Sequence, residues 1–185
     1  MGEAYSYTLN GNVFQIRELN YKKDIGLFDE IVEHENRVFG EGSVGKWNIK
    51  PFTKYGKVFV VVKKLKNLEN NREVKCNNST YENKIDEELV SVIEVLRGFD
   101  YKIAYIYGVS TVTGYEGQGH ATRLFDYVMD YLLKQDISIV ELTVGVNNEV
   151  AKKVYKKAGF TIVEKLEGEY GENIDRYLML SLIHI

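Results

Sequence analysis

The stretch from Val109 to Phe125, V-S-T-V-T-G-Y-E-G-Q-G-H-A-T-R-L-F, constrains this chain more than any other. A β-branched run enters a turn broken by glycines, and an amphipathic helix follows with no spacer. Gly117 and Gly119 remove side chains where the backbone must bend, so the amides from Gln118 to Thr122 become the free donors of a new helix. Those donors and the positive end of the helix dipole point the same way, which makes the turn a cradle for an anion such as a phosphate or pyrophosphate. A tight strand-to-helix turn without a ligand uses the same residues, so local chemistry alone leaves both readings open.

The flanking chain supplies strands and helices in a mixed order. Asn12 to Leu19 alternates as a strand, with Val13 opposed to Phe14 and Ile16. Ile25, Phe28, Ile31, Val32, Val38 and Phe39 recur near helical spacing, with Asp24 as a candidate N-cap. A glycine-rich loop carrying Trp47 leads to a short helix around Lys46 to Tyr55. Lys57 to Leu65 is an apolar, β-branched strand with lysine-solvated ends. Glu88 to Leu96 and Lys102 to Val112 then form an antiparallel pair, with Gly108 inside the second strand as the mark of a bulge or a close backbone approach.

Beyond the glycine turn, Ala121, Leu124, Phe125, Val128, Met129 and Leu132 line one helical face. Ile137 to Val144 is a strand parallel to the one before that crossover helix. Asn147 or Asn148 caps a further helix, in which Val150, Ala151, Val154, Tyr155 and Ala158 are apolar and Lys152, Lys153, Lys156 and Lys157 are solvated. Gly159 ends it, and Phe160 to Lys165 and Arg176 to Ile183 are the last strands.

Composition excludes several classes. One cysteine, Cys76, cannot make an internal disulfide, and with three scattered histidines it offers no metal-ligand spacing, so no metal is expected. Lys and Arg number 24 against 27 Asp and Glu, a net charge of −3 without the basic stripe that nucleic acid requires. No apolar run approaches the roughly 20 residues of a membrane helix, and no leader opens the sequence, so a cytoplasmic location is expected. Between Lys66 and Glu88 the chain turns rich in asparagine and charge, and we read it as a long hairpin insertion in a single domain spanning residues 1–185.

Two common nucleotide cradles fail at the glycine turn. A nucleoside-triphosphate loop needs Gly-Lys-Ser/Thr, and here Gly119 is followed by His120 and Ala121. A dinucleotide fold needs glycine or alanine where Thr122 stands and an acidic residue ending the next strand, which ends in Thr143-Val144-Gly145. Instead E-G-Q-G-H-A (Glu116 to Ala121) resembles the Q/R-x-x-G-x-G/A segment of the GCN5-related N-acetyltransferases, the GNAT superfamily. N-E-V-A-K-K-V-Y-K-K-A-G-F (Asn148 to Phe160) resembles their second signature, N-x-x-A-x-x-x-Y-x-K-x-G-F, and D-R-Y-L-M-L-S-L (Asp175 to Leu182) resembles their last strand.

The resemblance implies an α/β fold of about six to seven mostly antiparallel strands, helices on both faces, and a parallel pair splayed to admit coenzyme A. It implies acetyl-CoA as co-substrate and acetyl transfer to a primary amine of a small molecule or a protein N-terminus, by a monomer or homodimer. Backbone groups of Val109, Ser110 and Thr111 would pair with the pantetheine arm. Amides of Gly117, Gln118, Gly119, His120, Ala121 and Thr122 would hold the pyrophosphate, Asn148 would bond pantetheine, and Tyr155 would protonate the leaving thiolate.

Two departures stand out. Glu116 occupies the place of the family's Arg or Gln, and Tyr105 that of a glutamate serving as general base in many members. Glu94, Glu41, or a water held by Tyr105 or Tyr107 are the alternatives for that base, and a catalytically weak acyl-CoA-binding module is the competing reading. His120 is read as structural or as a coenzyme contact, and His34 and His184 as surface residues. Phe39-Gly40-Glu41 and Trp47 loosely resemble the loop lining acceptor pockets in members that act on protein N-termini.

Overall fold

The computed structural model describes residues 4–65, 87–100 and 102–183. The expected insertion, apart from its last two residues, and with it Cys76, lies outside them, as does His184. The strands β1 (Tyr5–Leu9), β2 (Asn12–Glu18), β3 (Lys57–Lys64), β4 (Glu87–Arg97), β5 (Ile103–Thr111), β6 (Ile139–Gly145), β7 (Thr161–Leu166) and β8 (Arg176–Leu182) form one sheet. Their order is β1-β2-β3-β4-β5-β6-β8-β7. All neighbours are antiparallel except β5 and β6.

The sheet has eight strands rather than six or seven. The additional one is β1, paired to β2 through Asn10-Gly11, whose φ angles of 50° and 74° are those of a two-residue hairpin turn. That dipeptide was the available signal.

β3 explains why the sheet is covered on both faces. Its residues Val58 to Val62 are all fully buried, a continuous apolar run instead of an alternating one. Phe59 and Val61 face one core, with Leu124, Phe125 and Val128 of α3 (His120–Leu133) and, at its margin, Ala151, Val154 and Tyr155 of α4 (Glu149–Lys157). Val58, Val60 and Val62 face the other, under α1 (Ile25–Phe39) and α2 (Gly45–Tyr55).

Several local expectations change. Asp24 makes no cap; its carboxylate accepts from Arg17 at 2.7 and 3.0 Å and from the Asn20 amide at 2.6 Å, holding the β2–α1 corner instead. The buried face of α1 is Leu27, Phe28, Ile31, Val32, His34 and Glu35, with Ile25 and Val38 exposed. His34 is therefore an interior residue and not a surface one. On α4, Val150 is exposed and Lys152 is buried, its Nζ donating to Val146 O and Glu149 Oε1 at 2.6 Å each. The lysine is accommodated on a packed face in this way, with its ammonium over the Tyr177 ring and bonded to a carbonyl and a carboxylate.

Candidate active site

Where β5 and β6 part company the sheet opens. Their parallel register runs from Ile103↔Ile139 to Ile106↔Leu142 and stops, while β5 continues to Thr111 and β6 to Gly145. Val109, Ser110 and Thr111 stay paired to β4 on one edge, opposite Ile93, Val92 and Ser91, and turn their other edge to the opening. A strand edge without a neighbour presents backbone donors and acceptors to any extended partner.

The bulge that produces this divergence lies in the β4–β5 ladder. Glu94 faces Gly108 and Val95 faces Ile106, so Tyr107 is the extra residue. Such a bulge bends its strand and increases the local twist. Tyr107 uses its freedom to donate its hydroxyl to Gly42 O at 3.3 Å, in the turn between α1 and α2.

The glycine turn closes the other end of the opening. Gly114, Gly117 and Gly119 have φ of 96°, 72° and 79°, values that L side chains disfavour. α3 begins at His120, so the N–H groups of His120, Ala121 and Thr122 lack intrahelical acceptors by position. Glu116, exposed, folds its carboxylate onto the Gly114 amide at 3.0 Å, and Gln118 Nε2 donates to Gly114 O at 2.9 Å.

Arg123 was missed in the sequence. One turn into α3, its Nη1 donates to Gly119 O at 3.1 Å and Gln118 O at 3.3 Å, setting a guanidinium against the cradle. The signal was an arginine on the first turn of the helix after the glycines.

His120 takes the structural role open to it. It is buried, with Nδ1 bonded to Tyr7 OH at 2.6 Å and its ring against Phe14 and Tyr115. Burial, reinforced by Arg123, lowers its pKa below the usual histidine value, which keeps it neutral. The β1–β2 hairpin thus buttresses the turn from beneath.

Tyr155 lies on α4 and packs against the core. Its ring packs edge-on to Phe125 at 5.6 Å and tilts against Phe160 at 6.3 Å. Burial pushes its hydroxyl up to about 12, with Arg176 opposing and Tyr105 adding to the rise. Arg176 is itself fixed, donating to Thr143 Oγ1 at 2.9 Å and Thr143 O at 2.7 Å, and Tyr105 OH meets Thr143 Oγ1 at 3.0 Å. Thr143 is the first β6 residue past the parallel pairing, so this cluster holds the free side of the opening. Asn148 caps α4, its Oδ1 accepting from the Ala151 amide at 3.0 Å, which orients the side chain at the helix entrance.

Of the residues weighed as a base, Glu41 is exposed in the turn Gly40–Gly42, and Tyr105 and Tyr107 sit as described. Glu94 is different. It is fully buried on β4 facing α1, and neither of its carboxyl oxygens has a hydrogen-bond partner among the described residues. Burial, and then Glu35 of α1, raise its pKa well above the usual carboxylate value. Glu35, buried as well, accepts from the Val44 amide at 3.3 Å.

Comparison with known proteins fits this arrangement. Residues 31–160 match the family described as "Acetyltransferase (GNAT) family". No curated protein matches significantly by sequence. Among solved structures, Ard1 from Thermoplasma volcanium is 18% identical with a TM-score of 0.68, covering 93% of this chain and 99% of its own. An aminoglycoside 6'-N-acetyltransferase complexed with coenzyme A is 13% identical with a TM-score of 0.69, covering 92% and 97%. The ribosomal-protein-S18-alanine N-acetyltransferase from Escherichia coli is 15% identical at 0.61, covering 93% and 95%. At these identities the solved structures establish the fold, and the family match over most of the chain establishes the kinship: the chain belongs to the GNAT acetyltransferase family.

Proposed function

We propose that this protein transfers the acetyl group of acetyl-CoA directly to a primary amine, without an acyl-enzyme. One observation carries the reading: the β5–β6 pairing ends at Ile106 and Leu142 while both strands run on, which leaves the edge of Val109 to Thr111 unpaired ahead of the glycine turn. The unpaired edge of Val109, Ser110 and Thr111 takes the pantetheine arm. The amides from Gly117 to Thr122 take the pyrophosphate, with the Arg123 guanidinium supplying the positive charge that Glu116 does not.

Asn148 contributes its free amide hydrogens to pantetheine while its oxygen caps α4. Tyr155 donates its proton to the departing thiolate; a hydroxyl pushed up to about 12 is a neutral acid throughout the physiological range. The acceptor lies on the α1–α2 side, lined by Tyr107 and Phe39, and is a small-molecule amine or a protein N-terminus. The similar structures include a spermidine N-acetyltransferase chimera and the NatC complex bound to Gag peptide and CoA. We place the enzyme in the cytoplasm; no described helix is long and apolar enough to cross a membrane.

The test is thiol release from acetyl-CoA against a polyamine, an aminoglycoside and short peptides with free N-termini, with Tyr155→Phe as control. Turnover of at least one amine is expected. Coenzyme A binding with no turnover would favour a CoA-binding module, a reading motivated by the absence of a carboxylate on β5, and no binding at all would sink both.

A further inference from the structure

Two carboxyl groups buried together in an apolar core call for an explanation. Glu35 and Glu94 are each at most 1% exposed, within packing supplied by α1, α2 and the valines of β3 and β4. Burial, and then Glu35 beside it, hold the Glu94 carboxyl well above the usual carboxylate value. Apolar residues of similar volume would pack there without that penalty.

Their position is specific. A Cβ on Gly108 would lie 2.7 Å from Glu94 Oε2 and 3.6 Å from Phe39 Cε2, so any larger residue there must displace the carboxyl. Gly108 is also the first residue after the bulge and the last before the edge of Val109 to Thr111. An arm that enters at the glycine turn and runs back along that edge meets the closed ladder at Ile106 and Leu142. Its thioester end would then lie beside Tyr107 and Gly108, next to the Glu94 carboxyl. The charged and titratable groups around the pair are Tyr107, on which Tyr170 and both glutamates act, and His34, on which Glu35, Arg37 and Glu116 act.

Resting on the acetyltransfer reading, we propose that the Glu35–Glu94 carboxyl pair is the proton acceptor of the reaction, replacing the carboxylate that β5 lacks. The acceptor arrives as an ammonium ion at the face formed by Tyr107, Gly108 and Phe39. It gives one proton, through one water beside Gly108, to a carboxylate of the pair. The freed amine nitrogen attacks the thioester carbonyl carbon; the C–N bond forms, the C–S bond breaks and the thiolate takes its proton from Tyr155. The amide nitrogen loses its surplus proton to the tyrosinate, and the pair returns its extra proton to solvent.

The test is the pH dependence of kcat/KM for acetyl-CoA and whichever amine the wild type turns over fastest, in wild type, Glu94→Gln and Glu35→Gln. Each variant is nearly isosteric and removes one buried titratable group, so coenzyme A affinity should be unchanged and the thermal midpoint equal or higher. Expected is a loss of about 10²- to 10⁴-fold in kcat/KM in both variants, with displacement of the acid limb, the same amine being used throughout. Variants that keep the wild-type rate and limb overturn the proposal and leave the acetyltransfer reading standing. Midpoints that drop sharply also overturn it, because they make the pair a structural element. A wild type that binds coenzyme A yet releases no thiol with any amine overturns both.

Discussion

Glu94 Oε2 occupies the space into which a side chain on Gly108 would grow, 2.7 Å from an ideal Cβ. The contact joins β4 to β5 at their bulge and ties the interior under α1 to the mouth of the opened sheet. Gly108→Ala should therefore destabilise the protein by about 1–3 kcal/mol, as overpacking does in a dense interior. In a Glu94→Ala background the same substitution should cost markedly less, since the methyl then enters vacated space. Urea midpoints for the double-mutant cycle would read this coupling, and equal costs in both backgrounds would refute the geometry.

Tyr155→Phe separates packing from chemistry. The ring contacts with Phe125 and Phe160 survive the change, so the thermal midpoint and coenzyme A affinity should stay near wild type. If the hydroxyl is the acid, kcat should fall by about 10²-fold or more. Because the phenol is pushed up to about 12, Tyr155 should place no limb in a pH–rate profile until strongly alkaline pH. A limb near neutrality that vanishes in the variant would contradict that assignment.

How far the site was readable from sequence follows from the range of the interactions that build it. The glycine turn, Asn148 and Tyr155 sit in contiguous stretches whose backbone demands are local: α3 begins directly after Gly119, and Asn148 caps the helix that carries Tyr155. The opening of the sheet was also accessible, because Gly108 inside a strand marks a bulge. His34 and Glu35 were not: a helical face looks polar there, and only the long-range partner Glu94 makes a buried carboxyl pair. The same holds for Arg123, His120 and Lys152, whose partners are set by loop carbonyls, by the β1–β2 hairpin and by the Val146 carbonyl. Strand β1 is the exception, since Asn10-Gly11 announced it locally.

Asn148→Ala tests the cap on α4. Removing Oδ1 leaves the Ala151 amide without its acceptor, at a cost of about 1 kcal/mol and a midpoint shift of about 2–4 °C. Asn148→Asp keeps an acceptor oxygen but loses the amide donors. It should restore the midpoint while leaving coenzyme A binding weakened. A variant that regains both would remove Asn148 from the pantetheine site.

Glu87, at the start of β4, is expected to give acid sensitivity of a defined sign. Burial alone would raise its pKa, but hydrogen bonds from Lys64 and Arg17 outweigh it and hold the carboxyl below its ordinary value. A carboxyl lower in the folded state stabilises above its unfolded pKa, and that contribution is lost as pH falls through the folded value. Wild type should therefore lose stability faster than Glu87→Gln as pH falls from about 5 to about 3, and the two should differ most near neutrality. Arg17→Met, which also frees Asp24 and so loosens the β2–α1 corner, should flatten the same stretch of the curve. Urea unfolding at stepped pH measures these slopes, and parallel curves for wild type and Glu87→Gln would refute the assignment.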